Sequence, residues 1–501
     1  MVDQQAGSAQ TAASVPEEGP ARQWLVLALV LVAQFMVVLD ATIVTVALPS
    51  IQRGLGFANQ LDLQWVINAY VLLAGGFLLL GGRAGDLFGR KRLFLAGLAL
   101  FTTASLVNGL AQSPGMLIAG RAVQGLGAAL VSPAVLSIIV ATFTKEVERA
   151  KALGVFSTVT AAGAAVGLLL GGVLTQELSW RWIFLVNVPV GAIGALLATR
   201  FVANSRGPQT ADRRIDVLGA VTVTGGLTLF IYALVNAQTW GWGSGRFIGL
   251  VIAAAALLAV FLVTELRSRS PLIRLGIFRI RSLAGANATM FLMIAGQFVT
   301  MFFPTLYLQD VFRYSPIKTG LAYFVWPVMM IAAASAGQRL VRRFNSRLVL
   351  GLGLLLDSGG LFAFHSLPVN GTYAANVLPG MLLTAAGVGL GFSTLFFLAT
   401  VDAPAHEAGL ASGLINTSQQ LGAALGLAVL STIAASHTAN LLHGATSAAQ
   451  RAGALTSGFQ LGFMIAAIFP LAAALVMALT IRRLSPGVDP ETVAAPEETL
   501  L

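Results

Sequence analysis

Asp40 and Arg121 are charged residues inside stretches that are otherwise apolar. From Met116 to Val140 no other charge occurs, and that run is long enough to cross a bilayer. A charge at the centre of hydrocarbon costs at least about 2.5–3.5 kcal/mol unless a partner or water receives it, which makes such a residue a functional candidate. Burial favours the neutral form of a carboxyl, whereas a nearby guanidinium favours the ionised form. A carboxyl whose distance from an arginine changes with conformation can therefore load and unload a proton. The chemistry suggested by Asp40 and Arg121 is reversible protonation, with Asp40 as carrier and Arg121 as modulator. The alternative is a fixed pair that only orients two helices.

The elements that hold these residues follow from composition. The chain has 501 residues, of which 56% are hydrophobic and 10% charged, against about 25% charged in soluble domains. Its solvent is lipid. Runs of about 20 apolar residues fall near 24–48, 63–82, 93–112, 116–143, 151–175, 181–201, 217–236, 246–266, 282–310, 317–340, 347–366, 375–398, 408–434 and 458–482. They are continuous rather than alternating, so they are helices and not barrel strands. The expected fold class is an all-α polytopic membrane protein of about fourteen transmembrane helices.

Asp40 stands about 16 residues into the first helix, hence roughly 24 Å along it. Arg121 lies about five to seven residues into a helix running the other way, roughly 8–10 Å from its start. In a core of about 30 Å the two share a depth.

Counting Lys and Arg loop by loop sets the orientation. One side collects 23, including Arg83, Arg90, Lys91 and Arg92, and the other only six. Both termini are expected on the cytoplasmic side of the plasma membrane, and the net charge of +10 is topological. Basic residues scattered over short loops do not make a nucleic-acid surface. The polar segment 1–22 has no basic leader and reads as a disordered cytoplasmic tail, as does 485–501.

The sequence also repeats itself. Pro114-Gly115-Met116-Leu117 recurs as Pro379-Gly380-Met381-Leu382, and Gly125-Leu126-Gly127 as Gly389-Leu390-Gly391. Gly163-Ala164-Ala165-Val166-Gly167 matches Gly422-Ala423-Ala424-Leu425-Gly426. The shared order and spacing indicate two related halves. The expected organisation is a six-helix bundle over 23–205, two inserted helices with linkers over 206–275, and a second six-helix bundle over 276–484. Secondary transporters are built from such repeats, which rock about a central site.

Specific motifs now carry a family resemblance. Gly82-Arg83-Ala84-Gly85-Asp86-Leu87-Phe88-Gly89-Arg90-Lys91-Arg92 resembles the signature loop of the major facilitator superfamily. Leu39-Asp40-Ala41-Thr42-Ile43-Val44, the Arg121 segment, Trp180-Arg181-Trp182-Ile183-Phe184 and Asn187-Val188-Pro189-Val190-Gly191 are similar to its fourteen-helix drug:proton antiporter branch. The resemblance implies export of amphiphilic drugs or antibiotics, driven by inward proton flow with no cofactor beyond the proton gradient. The chain departs from the family pattern at Thr45, where the family usually has Asn, at Leu87, usually Arg, and at Leu168, where the antiporter motif has Pro after Gly167.

Within that frame Asp86, Arg90 and Lys91 are candidates for a conformational latch, the first two spaced i, i+4 for a pair if the helix continues; positive-inside anchoring is the alternative. Gly163, Gly167 and Gly171 line one helix face and, with Gly172, suit close packing in the antiporter motif. Gln34, Tyr70, Trp326, Asn416 and the intramembrane Asp357 are candidate cavity residues, because aromatic faces, amides and a carboxylate can hold amphiphilic cations. Interhelical packing or hydrogen bonding is the alternative for each.

The four histidines are scattered, no metal-binding pair at helical spacing occurs, and there is no phosphate-binding glycine loop. A membrane-embedded enzyme and an ATP-driven pump are thereby disfavoured. The expected partners are a small-molecule substrate, protons and the bilayer. A proton-linked exporter of an endogenous metabolite or self-made antibiotic remains an alternative.

Overall fold

The structure is a computed structural model that describes residues 20–58, 60–143, 145–203, 216–268, 276, 279–401, 408–442 and 447–481. Among these residues there is no strand, and fourteen helices are long and apolar enough to span a membrane. They are α1 (Ala21–Leu55), α2 (Leu61–Gly85), α3 (Arg90–Gly109), α4 (Pro114–Thr142), α5 (Val147–Leu178), α6 (Trp182–Phe201) and α7 (Val217–Ala237). The rest are α8 (Gly245–Arg267), α9 (Arg281–Val311), α10 (Pro316–Val341), α11 (Ser346–Ser366), α12 (Tyr373–Leu395), α13 (Gly413–Leu442) and α14 (Ala448–Thr480). The chain is a multi-pass membrane protein. The predicted tails fall largely outside the described residues, but the first helix already begins at Pro20, inside the segment read as tail.

Leu196, Leu266, Leu348 and Leu479 are strongly exposed, as expected for side chains that face lipid rather than water. The inside of the bundle is held by small residues that bring backbones together. A Cβ at Gly163 of α5 would meet the Phe35 carbonyl of α1 at 3.3 Å, and one at Gly167 would meet the Leu39 carbonyl at 2.9 Å. In the second half Gly422 and Gly426 of α13 face the Phe291 and Ala295 carbonyls of α9 in the same way. Likewise Gly125 of α4 abuts the Tyr70 carbonyl of α2, and Gly389 of α12 abuts that of Met330 on α10. The sequence repeat is thus also a repeat of helix contacts. The inserted pair packs as a unit, with Gly226 of α7 facing the Ala254 carbonyl of α8 at 3.2 Å and Gly76 of α2 facing Thr224.

The halves meet along α2 and α13, where a Cβ at Gly75 would lie 2.5 Å from the Gln420 Cβ, and again at the end opposite the arginine-rich loops. There Gln309 donates to the Val46 carbonyl at 2.8 Å, Ser431 to Gln64 Oε1 at 3.0 Å, and the Ile317 backbone NH to Gln176 Oε1 at 3.3 Å. A Cβ at Gly172 would lie 2.9 Å from the Ile317 Cα, and one at Gly320 would lie 2.5 Å from the Leu168 carbonyl oxygen. Toward the arginine-rich end α5 and α10 lose that mutual cover, and Gly154, Val155, Thr158, Ser335 and Gln338 are exposed.

Candidate functional site

Arg121 is placed by the start of its own helix. Ser113 caps α4 by accepting from the Met116 NH at 3.3 Å, and Pro114 occupies the first turn. Arg121 therefore stands about two turns in, roughly 10 Å from the end. The small residues around it make room for its neighbours. A side chain at Gly120 would overlap Asn108 of α3, and one at Gly125 would overlap the Tyr70 backbone.

The structure brings Asp40 and Arg121 together. Arg121 Nη1 donates to Asp40 Oδ2 at 2.5 Å, with the side chains 1% and 0% exposed. Arg121 also donates from Nε to the Val66 carbonyl at 3.0 Å and from Nη1 to Gln124 Oε1 at 2.8 Å, and its guanidinium lies 4.2 Å from the Tyr70 ring centroid. The carboxylate accepts two further bonds at Oδ1, from Gln124 Nε2 at 2.8 Å and Asn187 Nδ2 at 2.9 Å.

A second tier fixes those amides. Gln124 accepts from Asn108 Nδ2 at 2.8 Å and donates to Ser105 Oγ at 2.6 Å, while Asn187 reaches the same hydroxyl at 3.2 Å. Side chains from α4 and α6 bond the Asp40 carboxylate of α1, those of α3 orient the amides, and Tyr70 of α2 covers the guanidinium. Such a network suits an ionised Asp40. A proton on the carboxyl would remove the counter-charge of Arg121 and leave donors without acceptors.

Sequence reasoning missed Gln124, Asn187, Ser105 and Asn108 as site residues. A signal was present: Gln124 follows Arg121 by one helical turn, and Ser105 and Asn108 share the i, i+3 spacing that puts them on one face. What identifies them is the distance to Asp40, which spacing along one helix does not contain.

Tyr70 is not a wall of an open cavity. It is 4% exposed, covers Arg121, and its hydroxyl approaches the Val37 carbonyl at 3.5 Å. Asp357 is also no cavity residue: it is 0% exposed on α11, where it packs against α12. Gln34 and Trp326 are buried on α1 and α10, and Gln34 Oε1 and Trp326 Nε1 have no hydrogen-bond partner among the described residues. Asn416 is half-buried on α13. The structure does not gather these last three around Asp40.

The latch residues are arranged differently from the sequence expectation. The helix Trp65–Phe88 stops at Gly89, whose φ of +98° is open to glycine and unfavourable for other residues, and a new helix starts at Arg90. The i, i+4 geometry proposed for Asp86 and Arg90 is therefore lost. The side chain of Asp86 lies outside the described residues. Lys91 instead donates to the Thr199 carbonyl at 2.7 Å in the last turn of α6, where a cation complements the helix end.

Gly163, Gly167 and Gly171 face α1, with a Cβ at Gly171 only 2.6 Å from the Ile43 carbonyl oxygen, whereas Gly172 faces α10 across the half boundary. The helix Glu146–Val173 runs unbroken through Leu168, where the antiporter branch has proline.

Comparison with known proteins places this geometry. Residues 30–427 match the profile described as Major Facilitator Superfamily. The chain is 38% identical over 486 residues to the puromycin resistance protein pur8 of Streptomyces alboniger, covering 96% of this chain and 94% of that protein. It is 39% identical over 414 residues to the cephamycin export protein CmcT of Amycolatopsis lactamdurans, covering 82% and 85%. Among solved structures, an inward-facing, unoccupied bacterial homologue of the human lysosomal transporter Spinster superposes with a TM-score of 0.62 at 17% identity, over 94% of this chain and 100% of that one. The inward-open xylose transporter XylE from E. coli gives 0.60 at 13% identity, over 94% and 99%; at these identities the likeness shows the fold alone. With its contact-for-contact repeat, its fourteen spans and relatives that are resistance and export proteins, the chain belongs to the major facilitator superfamily and is a transporter.

Proposed function

We propose that the chain is a proton-coupled antiporter that exports amphiphilic drugs or antibiotics across the bacterial plasma membrane, with both termini cytoplasmic. Asp40 carries the proton, and Arg121 with its amide partners sets when the proton is held. The observation that carries this reading is a fully buried carboxylate–guanidinium pair whose network suits only one protonation state of Asp40. Two related halves that meet through α5 and α10 at the end away from the arginine-rich loops support alternating access. The cargo class is supported by relatives named for puromycin resistance and cephamycin export. No cofactor beyond the proton gradient takes part.

The test uses the chain reconstituted in lipid vesicles, with ethidium and puromycin as probe cargoes and an imposed pH gradient. Proton-driven movement of a probe is expected, abolished by a proton ionophore and by Asp40→Asn, with the variant still folded in the membrane. Full proton-driven transport by Asp40→Asn sinks the assignment.

A further inference from the structure

Among the described residues the second half of the molecule has no equivalent of the Asp40–Arg121 pair, yet it buries a carboxyl of its own. Asp357 lies about 11 residues past Ser346, roughly 16 Å along α11 and hence near the middle of a core of about 30 Å. Its side chain is 0% exposed, and neither carboxyl oxygen has a hydrogen-bond partner among the described residues. The contrast with Asp40, which accepts from Arg121, Gln124 and Asn187, is complete.

Helices α11 and α12 meet closely at this place. A Cβ at Gly387 of α12 would lie 2.7 Å from the Asp357 Cα, and one at Gly353 of α11 would lie 2.9 Å from the Gly387 carbonyl oxygen. A buried carboxyl without a donor or counter-charge is an added cost that close helix packing does not demand.

The surroundings offer no counter-charge. On the helices packed against α11 the charged groups sit near helix ends: Arg281 and Asp310 on α9, Lys318 and Arg339 on α10, Arg451 on α14. On α11 itself Arg347 is near the first turn and binds the Ala478 carbonyl, and His365 is near the last. The phenols are committed elsewhere, Tyr307 to Pro368, Tyr323 to Thr300 at 3.0 Å and Tyr373 to Ala322 at 2.6 Å. An ionised carboxylate at mid-membrane without a cation or donor is not sustained, so the group is held as the neutral acid.

We propose that Asp357 is a second proton-binding site, loaded and occluded in the state described here, so that each transport cycle carries one proton on each half of the molecule. Binding forms an O–H bond on one carboxyl oxygen with a proton taken from water, and release returns that proton to water; no electrons move and no co-reactant is needed. Discharge requires α11 and α12 to part enough for water to reach the carboxyl, which Gly353, Gly360 and Gly387 at their contact now prevent.

This inference rests on the proton-antiport reading, and the experiments separate the two. Infrared spectra of the full chain in lipid are compared for wild type, Asp357→Asn and Asp357→Glu, in light and in heavy water. A protonated-carboxyl band is expected that vanishes in Asp357→Asn, moves in Asp357→Glu and shifts in heavy water. Absence of that band in the wild type, or a band that never exchanges, overturns the proposal without any transport measurement. In the vesicle assay with ethidium, Asp357→Asn is expected to halve the proton-to-probe ratio read from the reversal gradient. A coupled wild type whose ratio is unchanged in Asp357→Asn refutes the second site alone, whereas a wild type with no proton-driven transport refutes the antiport reading.

Discussion

Asp40→Asn, Arg121→Gln and the double variant form a cycle whose outcome follows from the burial of the pair. Both side chains are at most 1% exposed and their closest atoms are 2.5 Å apart. Removing one member of a buried pair leaves an uncompensated charge and costs about 3–5 kcal/mol, whereas removing both is often close to neutral. In Asp40→Asn the guanidinium keeps the Val66 carbonyl, Gln124 Oε1 and the Tyr70 face. A desolvated cation–π contact gives back up to about 2 kcal/mol, and interhelical hydrogen bonds in membranes average only about 0.6 kcal/mol each. Asp40→Asn is therefore expected at the low end, about 2–3 kcal/mol.

In Arg121→Gln the carboxylate keeps two amide donors, so its cost is about 3–4 kcal/mol. The double variant should lie about 2 kcal/mol below wild type, giving a coupling energy of about 3–5 kcal/mol. The assay is reversible unfolding in mixed micelles, with proton-driven transport measured on the same preparations. Transport is expected to be lost in all three, although the double variant regains stability. Additive single costs, with coupling below about 0.5 kcal/mol, would refute the reasoning, because the guanidinium would then have a counter-charge or water that this geometry does not contain.

Further consequences can be checked on the same preparations. Gly125→Ala forces a methyl group against the Tyr70 backbone and should destabilise by about 1–3 kcal/mol in the unfolding assay, whereas Gly154→Ala, with open space around it, should be neutral or slightly stabilising. Lys91→Ala loses the bond to the Thr199 carbonyl at an exposed helix end; stability should change by no more than about 1 kcal/mol. If Lys91 is part of a latch its removal alters the transport rate, and an unchanged rate leaves only anchoring. Because the chain has no native cysteine, Gln176→Cys with Ile317→Cys gives a clean cross-link across the closed end. Oxidation should stop transport and reductant restore it, and full transport by the cross-linked protein would show that this end need not open.

Much of the architecture was legible because lipid imposes a strong rule on composition. The stretch around Asp40 reads as a helix from its lack of other charges, and α4 from the Ser113-Pro114 start and the uncharged run after Arg121. Glycines in the same order at similar offsets predicted the duplication, and the structure gives the reason, since Gly163 and Gly422 each admit the carbonyl of an equivalent neighbour. The shared depth of Asp40 and Arg121 followed from helix rise and direction. Gln124, Ser105, Asn108 and Asn187 were not singled out, because amides and hydroxyls are common in membrane helices and only their convergence distinguishes them. Tyr70 illustrates the same limit: an aromatic side chain has the chemistry of a cavity wall, and here it is a lid on Arg121. The Asp86–Arg90 spacing misled because a single glycine, Gly89 at positive φ, ended the helix between them.

By itself the sequence determined the solvent, the number of spans, the duplication and the presence of two intramembrane carboxyls, all of which depend on composition along one dimension. Only the tertiary structure decided which partners each carboxyl has. Asp40 is enclosed by an arginine and two amides from two other helices, while Asp357 meets none among the described residues. The physical reason is that charge stabilisation in hydrocarbon acts over a few ångströms, and separations of that size between residues 81 and 147 positions apart are set by helix packing rather than by spacing along the chain.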